Sequence, residues 1–596
     1  MGRRVADVVL IHPPSVYDFR ERTIFYGPIS DVIPSSPVFE MYPVGFLTLA
    51  AFLRRHGYRV EIINLALLMM RSRRLDVEKL LGRLRPKLFG IDLHWLPHAH
   101  GSIEVAALLK RLHPEIPIVF GGLSSTYFHE ELIHEPSVDF VLRGSVTEPS
   151  LLALVRELEG NHDFGRIPNL TWKKSAGENA GAPVINPSLH STALLDEYTI
   201  DLGMMIGSVV HRLDFWTTVP FHTWWKHPIT AIFSVRGCAR QCVTCGFPRD
   251  CLVLRSPAAI AENARNLASI TRAPIFLVGD LRDGGDRYAH EVVTALVKSG
   301  IKNRFVFEFF EPPSAEFIEA MDALPHWGIE LSPESHDPAI RSRFRKARYT
   351  NEEFEATIGR LMQSRCEELD LFYMIGLPGQ THRSVLETID SVEQLFRRFD
   401  RRLSAFITPM GPFIDPGSDG FENAEANGYR IRARTLAEHR TLLQQRDWES
   451  ILNYETDWMT RREIVDATYD AAERLNELKA RYGRIAPRVA GAVAARMREA
   501  RRIRAKLAAA GDGPLDPATH RELVGEIREF SEGTINDKGE LFPPGAFVRN
   551  FRLSGIFRLI ARETLRNFSR RKPSCDPCHH AEYGRSSRDV LPATTV

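Results

Sequence analysis

The chain has 596 residues, 44% of them apolar and 26% charged, with a net charge of +2; that allows about three or four domains with ordinary hydrophobic cores. The charge balance excludes bulk nucleic-acid binding, and seven cysteines in so long a chain exclude a disulfide scaffold. No stretch approaches the ~20 apolar residues of a membrane span, and residues 1–11 lack the long apolar run of a signal peptide, so a reducing cytoplasm is the expected setting.

The first 150 residues alternate strand and helix. Residues 5–14 (VADVVLIHPP) read as a strand ending in a proline turn, 44–58 as an amphipathic helix and 58–65 as the next strand; strands over 88–95, 116–122 and 138–145 follow with helices between them. Short apolar strands separated by helices predict a doubly wound parallel sheet. Ligands bind such sheets outside the carboxyl ends of the strands, which here carry His12-Pro13-Pro14, Asp92-Leu93-His94 and Gly121-Gly122. Residues 161–227 read as a linker with a few short strands. A second alternating block places strands over 229–238, 273–280, 304–310, 328–335, 369–379 and 403–410. Six strand–helix units predict a partial or full parallel barrel, with its chemistry at the carboxyl strand ends. From about 416 to 555 the pattern becomes a turn-rich stretch and then helix, expected to cover the barrel mouth. Residues 556–596 read as a basic helix and a disordered tail, with Arg558, Arg562, Arg566 and Arg570 at four-residue steps. Such a helix can make peripheral contact with an anionic membrane or pack its apolar face on its own domain.

The densest chemical signal is Cys238, Cys242 and Cys245, spaced C-x3-C-x2-C at the end of the first barrel strand. Structural, four-ligand zinc sites and ordinary iron–sulfur sites take four protein ligands, and no fourth cysteine stands at a pairing distance. Three thiolates on a cubane would leave one iron open to a ligand that is not protein; a zinc knuckle with a distant fourth ligand is the alternative. Arg236 and Arg240 are expected to supply positive charge that favours thiolates. Cys251 and Cys366 fit no ligand spacing. Cys575-x-x-Cys578-His579 matches a haem-attachment string formally, but reads as a surface thiol pair, with a weak metal or redox site as the sharper alternative.

The string RGCARQCVTCGF resembles the radical S-adenosylmethionine (SAM) superfamily. The doubly wound domain ahead of it, with IHPPS, YPVGFLTLAAFLRRHGY, GGLSST and VDFVLRGS, is similar to the cobalamin-binding class of that superfamily. The resemblance covers roughly residues 5–160 and 228–415. It implies an α/β fold: a Rossmann-like cobalamin-binding domain over 1–160, a (β/α)6 partial barrel over 228–415 and a helical carboxyl-terminal region. It implies a 4Fe-4S cluster on the three cysteines, S-adenosylmethionine chelated at the open iron and cleaved to a 5′-deoxyadenosyl radical, and cobalamin. A small-molecule substrate and an electron donor such as flavodoxin or ferredoxin follow from the same likeness.

The resemblance also implies site residues. Gly279 and Asp280 in VGD stand where the family has G-G-E, which binds the methionine amino group, although a plain strand-end turn acid is the alternative. Ser332 and Glu334 in SPES resemble the G-x-E-S strand that contacts ribose or carboxylate. Lys346 in FRKARYT is a candidate cofactor contact, with a solvated charge as the alternative. Gly376 and Gly379 in GLPGQT resemble G-L-P-G-E-T, where glycines admit adenine or simply make a tight turn. The family's aromatic residue before the third cysteine is replaced by Thr244, with Phe247 two residues beyond Cys245. Gly121 and Gly122 would admit the nucleotide tail of a corrinoid. The D-x-H-x-x-G pattern that supplies cobalt with a histidine in some cobalamin domains is missing after the first strand. Asp92-Leu93-His94 occupies the S-x-L place, so His94 is not assigned to cobalt and cobalt ligation stays open. His98 and His100 read as polar loop residues. The expected reaction is cobalamin-dependent methylation of an unactivated carbon. Radical cyclisation or rearrangement without methyl transfer, or a non-catalytic corrinoid and iron–sulfur binding module, are the alternatives.

Overall fold

Five short apolar runs pair side by side as parallel strands: β1 (Val8–His12), β2 (Val60–Asn64), β3 (Leu88–Asp92), β4 (Ile118–Gly121) and β5 (Phe140–Leu142). In this computed structural model the described residues are 6–569 without 30, 34, 175–180, 190–194, 204, 206–215, 227, 229, 248–251, 512, 514, 529, 531–533 and 542–546. The strand order is β2-β1-β3-β4-β5. β1 and β3 are buried along their whole length, as sheets covered by helices on both faces require. The chain leaves β1 to one side for β2 and returns on the other side for β3. The crevice between the ends of β1 and β3 is therefore the switch point at which such sheets bind ligands. Two antiparallel strands, β6 (Leu170–Lys173) and β7 (Pro183–Ile185), extend the sheet beyond β5. Part of the stretch read as a linker thus belongs to the first sheet.

The second sheet holds six parallel strands: β8 (Thr230–Phe233), β11 (Ile275–Val278), β12 (Phe305–Phe309), β13 (Trp327–Glu334), β14 (Leu369–Ile375) and β15 (Leu403–Pro409). Their order is sequential from β8 to β15, and among the described residues β8 and β15 do not pair, so the barrel is partial. The strand expected over 229–238 breaks in two. Its second piece, β9 (Val235–Arg236), pairs antiparallel with β10 (Val253–Leu254) and draws together the two ends of the cysteine loop.

The carboxyl-terminal region contains a hairpin that helical periodicity does not announce, β16 (Tyr429–Ile431) with β17 (Tyr454–Thr456). The Tyr429 hydroxyl donates to Gly376 O at 3.1 Å, so this hairpin covers the carboxyl end of β14. The long helix Arg461–Arg481 lies along the β15 edge, with the Lys479 ammonium 3.9 Å from the centre of the Phe406 ring. The mouth is therefore covered by the hairpin, while helix lines the open edge. The basic helix Leu553–Ser569 docks on its own protein through buried Leu559 and Glu563; Glu563 pairs with Arg54 and Arg562 with Asp201. Phe557 and Leu565 stay exposed. Cys251, the Arg566 side chain, Arg570, Cys575, Cys578 and His579 lie outside the described residues. Among the described residues no helix is long and apolar enough to cross a membrane.

Candidate cofactor site at the domain junction

Gly237, with φ of 91°, turns the chain from β9 into the cysteine loop. Cys238, Cys242 and Cys245 are all partly exposed. The Arg240 N–H donates to Cys238 Sγ at 3.4 Å. The Arg240 guanidinium is neutralised by Asp283 at 3.0 Å and Glu311 at 2.9 Å. Arg236 is committed to Glu148 in a bidentate pair of 2.7 and 2.9 Å. The electropositive loop expected from these arginines is therefore absent, because acids from other elements cancel both charges. Burial pushes the Cys242 thiol up to about 12 and raises Cys238 as well, so cluster assembly has to displace protons. The cation that does favour the Cys242 thiolate is Lys346. It is 12% exposed, paired with Glu334 and 4.8 Å from the Phe310 ring centre. A solvated charge is ruled out for Lys346.

The strand ends divide in their roles. Gly279 takes φ of 82°, and its N–H donates to Glu308 Oε2 at 2.8 Å. Glu308, which no motif marked, thus holds the VGD turn. Asp280 is fully buried and faces Arg282 at 2.6 Å and the Phe310 N–H at 3.1 Å. Its carboxylate caps the short helix that follows, so the turn-acid alternative describes its side chain. Ser332 and Glu334 line a small cavity with Phe310, Lys346 and Tyr349. Glu334 Oε1 meets Lys346, while Oε2 is buried without a partner among the described residues. An orphaned carboxylate oxygen beside a three-thiol loop fits the hydroxyl or ammonium groups of S-adenosylmethionine. At Gly376 a Cβ would lie 2.6 Å from the Tyr454 hydroxyl, and at Gly379 3.1 Å from Arg343 Cδ. On the Cβ side both glycines meet protein, and their φ of 99° and 84° is what the tight turn requires. Gln380 fastens that turn by accepting from the Gly376 and Leu377 N–H groups at 2.8 and 3.2 Å.

On the other side of the junction, the switch point gathers histidines. His12 Nδ1 lies 3.0 and 3.1 Å from the Asp92 oxygens, and Nε2 lies 2.9 Å from Phe39 O. Both ring nitrogens of His12 are therefore engaged. His94 Nδ1 is 2.6 Å from Asp92 Oδ2, and His98 Nδ1 is 3.1 Å from Pro13 O. Burial alone would raise the Asp92 carboxyl, but the facing imidazoles hold it well below the usual range. Burial instead drives His98 well down and His100 to about 4. Both are interior residues, 1% and 4% exposed, and not the polar loop residues expected, because the helix from Ala99 packs them against the loop after β1. Gly122 has φ of 121°, and a Cβ there would sit 2.3 Å from His94 Cα; nothing lies within 4 Å of a Cβ at Gly121. Gly121 therefore faces a space that can take a nucleotide tail.

The two halves are joined by residues that carry no motif. Asp415, just past β15, accepts from Trp95 Nε1 at 3.2 Å and from the Gly246 N–H at 3.2 Å. Its own N–H donates to Thr244 O at 3.2 Å. Trp95 follows His94 and Gly246 follows Cys245, so one carboxylate ties the β3 loop to the cysteine loop. Burial pushes Asp415 up to about 6 against the pull of those hydrogen bonds. Arg236 makes a second tie through Glu148 and Thr48 of the first domain. Adjacency to His94 and Cys245 was the one trace of this junction in the sequence.

Family models agree with this arrangement. The B12 binding domain matches residues 31–153 and the radical SAM superfamily matches residues 232–392. The chain thus carries a B12-binding domain followed by a radical SAM domain, and its cofactors are a 4Fe-4S cluster, S-adenosylmethionine and cobalamin. It is similar to the anaerobic magnesium-protoporphyrin IX monomethyl ester cyclase of Synechocystis sp., 25% identical over 214 residues, 35% of this chain and 39% of that protein. It is also similar to the cytidylyl-2-hydroxyethylphosphonate methyltransferase of Streptomyces wedmorensis, 22% identical over 238 residues, 34% of this chain and 43% of that protein. The matched region spans about two-fifths of each relative. The fold is similar to the radical S-adenosylmethionine methyltransferase TsrM of Kitasatospora setae, with TM-score 0.53, 17% identity and coverage of 72% of this chain and 78% of that one. It is also similar to the cobalamin-dependent S-adenosylmethionine radical enzyme OxsB, with TM-score 0.51, 13% identity and coverage of 95% and 80%.

Proposed function

We propose that the protein is a cobalamin-dependent radical SAM enzyme that methylates an unactivated carbon of a small molecule. One observation carries this reading. Asp415 binds the loop after β3 and the cysteine loop at once, which supports a single junction between the two cofactor sites, as two cofactors acting on one substrate carbon would require. When bound, the cluster with S-adenosylmethionine supplies hydrogen abstraction and cobalamin supplies the methyl group.

The chain's own residues bind and orient. Glu334 and Ser332 offer a carboxylate oxygen and a hydroxyl beside the cysteine loop. Glu308 holds the Gly279 turn, and Lys346 offsets the negative charge gathered there. The β16–β17 hairpin excludes water from the carboxyl end of β14. A flavodoxin or ferredoxin is the electron donor in this reading. One relative is a cyclase, and the assay separates the two reactions. After anaerobic reconstitution with cluster, S-adenosylmethionine and cobalamin, methylation yields both 5′-deoxyadenosine and S-adenosylhomocysteine. Deoxyadenosine alone would replace methyl transfer by cyclisation or rearrangement, and neither product under strong reductant would sink the enzymatic reading.

A further inference from the structure

The histidine cluster at the switch point asks for a separate account. His12, His94 and His98 each offer a ring nitrogen within 4.8 Å of the others, the composition of a three-histidine metal site. His12 cannot serve, because both its nitrogens are already hydrogen-bonded, to Asp92 and to Phe39 O. His98 is 1% exposed and gives Nδ1 to Pro13 O. His94 differs from both. Its side chain is 27% exposed, Nδ1 is bonded to Asp92 at 2.6 Å, and Nε2 has no hydrogen-bond partner among the described residues.

A histidine that donates one N–H to a carboxylate is fixed in the tautomer whose other nitrogen is a lone-pair donor, and metal-bound histidines almost always show this arrangement. Asp92 is 2% exposed and is held by His12 on its far side at 3.0 Å. The acid cannot turn away from His94 without breaking its contacts of 3.0 and 3.1 Å to His12 Nδ1. His12 and Phe39 O thus position Asp92, and Asp92 positions His94. Gly122 fixes the backbone of the same residue from below, with no room for a Cβ against His94 Cα. His94 stands at the end of β3, bordering the crevice where the sheet binds its ligand, and its neighbour Trp95 is tied to the cysteine loop through Asp415.

We propose that His94, through Nε2, is the axial ligand that this protein gives to the cobalt of a bound corrinoid. The inference rests on the reading of the first domain as a working cobalamin site. Imidazole nitrogen suits first-row transition metals of this kind, and the Asp92 contact raises its basicity.

The test is electron paramagnetic resonance of full-length protein reconstituted anaerobically with cob(II)alamin. One axial nitrogen splits each cobalt line into a triplet. The benzimidazole of the corrinoid's own tail would do the same, so the protein is also made with histidine labelled by the heavy nitrogen isotope, which gives a doublet. The expected result is a triplet in unlabelled protein, a doublet in labelled protein and unsplit lines in His94→Ala. A triplet that survives labelling would assign the nitrogen to the cofactor's tail and overturn the proposal. Unsplit lines in the parent protein would overturn it in favour of a water or vacant position. A doublet that survives in His94→Ala would move the assignment to another histidine. Corrinoid that stays bound through desalting while failing these criteria leaves the proposed function standing; protein that retains no corrinoid fails both. The isotope arm needs no substitution and holds whether or not His94→Ala folds.

Discussion

Replacing Asp415 by asparagine is expected to leave stability nearly unchanged at about neutral pH while damaging the coupling of the two cofactor sites. The wild-type carboxyl is raised from 3.8 to about 6 by burial. The folded state therefore binds a proton more tightly than the unfolded state, and stability contributed by this group is gained as pH falls through about 6 and is fully present below 3.8. Above about pH 7 the buried charge costs roughly 3 kcal/mol, from two pH units at ~1.4 kcal/mol each. Partial exposure of Asp415 lets solvent trim that figure. Asparagine removes the charge but keeps one acceptor for two donors, Trp95 Nε1 and the Gly246 N–H. Losing one hydrogen bond to a charged group costs about 1.5–3 kcal/mol, so the two effects nearly cancel. Between about pH 7.5 and about pH 4.5 the wild type should gain about 2 kcal/mol relative to Asp415→Asn, read by thermal or denaturant unfolding across pH. Deoxyadenosine formation should fall by about tenfold to a hundredfold, as expected when reacting groups shift by about 1 Å, with iron and corrinoid content unchanged. A stability difference that is flat in pH, or full turnover in the variant, would refute the reasoning.

Other expectations follow from the same junction. Arg236→Ala leaves Glu148 buried and uncompensated and should cost about 3–5 kcal/mol, whereas Arg236→Met combined with Glu148→Gln should recover most of that loss in a thermal-shift series. Gly122→Ala forces a Cβ to within 2.3 Å of His94 Cα at φ of 121° and should destabilise the apo protein by on the order of 2–3 kcal/mol. Gly121→Ala has open space, so it should spare apo stability and weaken corrinoid retention after desalting. Alanine at any of Cys238, Cys242 or Cys245 should bring bound iron and sulfide close to background. Because burial raises the Cys238 and Cys242 thiols and the metal takes thiolates, iron uptake should rise with pH, by up to about tenfold per unit for each thiol deprotonated. Uptake that is flat over about pH 7 to 9 would contradict the raised thiols.

Much of the fold was legible because its signals are local. Alternating apolar runs and helices placed all five parallel strands of the first sheet and all six of the barrel, and short-range pattern is what decides such elements. The β16–β17 hairpin escaped because its strands are three residues each, too short for periodicity to register. At the site, residue types could be read but their partners could not. Arg236 and Arg240 looked like a cationic surround for the thiols, yet Glu148, Asp283 and Glu311 cancel them from other elements. Lys346 looked like a solvated charge and is largely withdrawn from solvent against Glu334. Asp280 stands in the expected place but turns its carboxylate to Arg282. Trp95 and Asp415 are 320 positions apart, and nothing in either neighbourhood announces the bond between them.

Ligand type and count were set by the sequence alone. Three thiols at one strand end, with no fourth nearby in the chain, fix the ligand type and the local ligand count, because these are properties of the residues present. Glycines and acids at the other strand ends were likewise available to be counted. Which charges survive near the thiols, which glycines face space and which face a side chain, and which histidine keeps a nitrogen free were decided by tertiary structure. Those outcomes depend on partners brought close from distant positions in the chain, and Asp92 illustrates the point: one buried carboxylate holds Nδ1 of both His12 and His94, but Phe39 O takes the second nitrogen of His12 alone and leaves that of His94 able to bind.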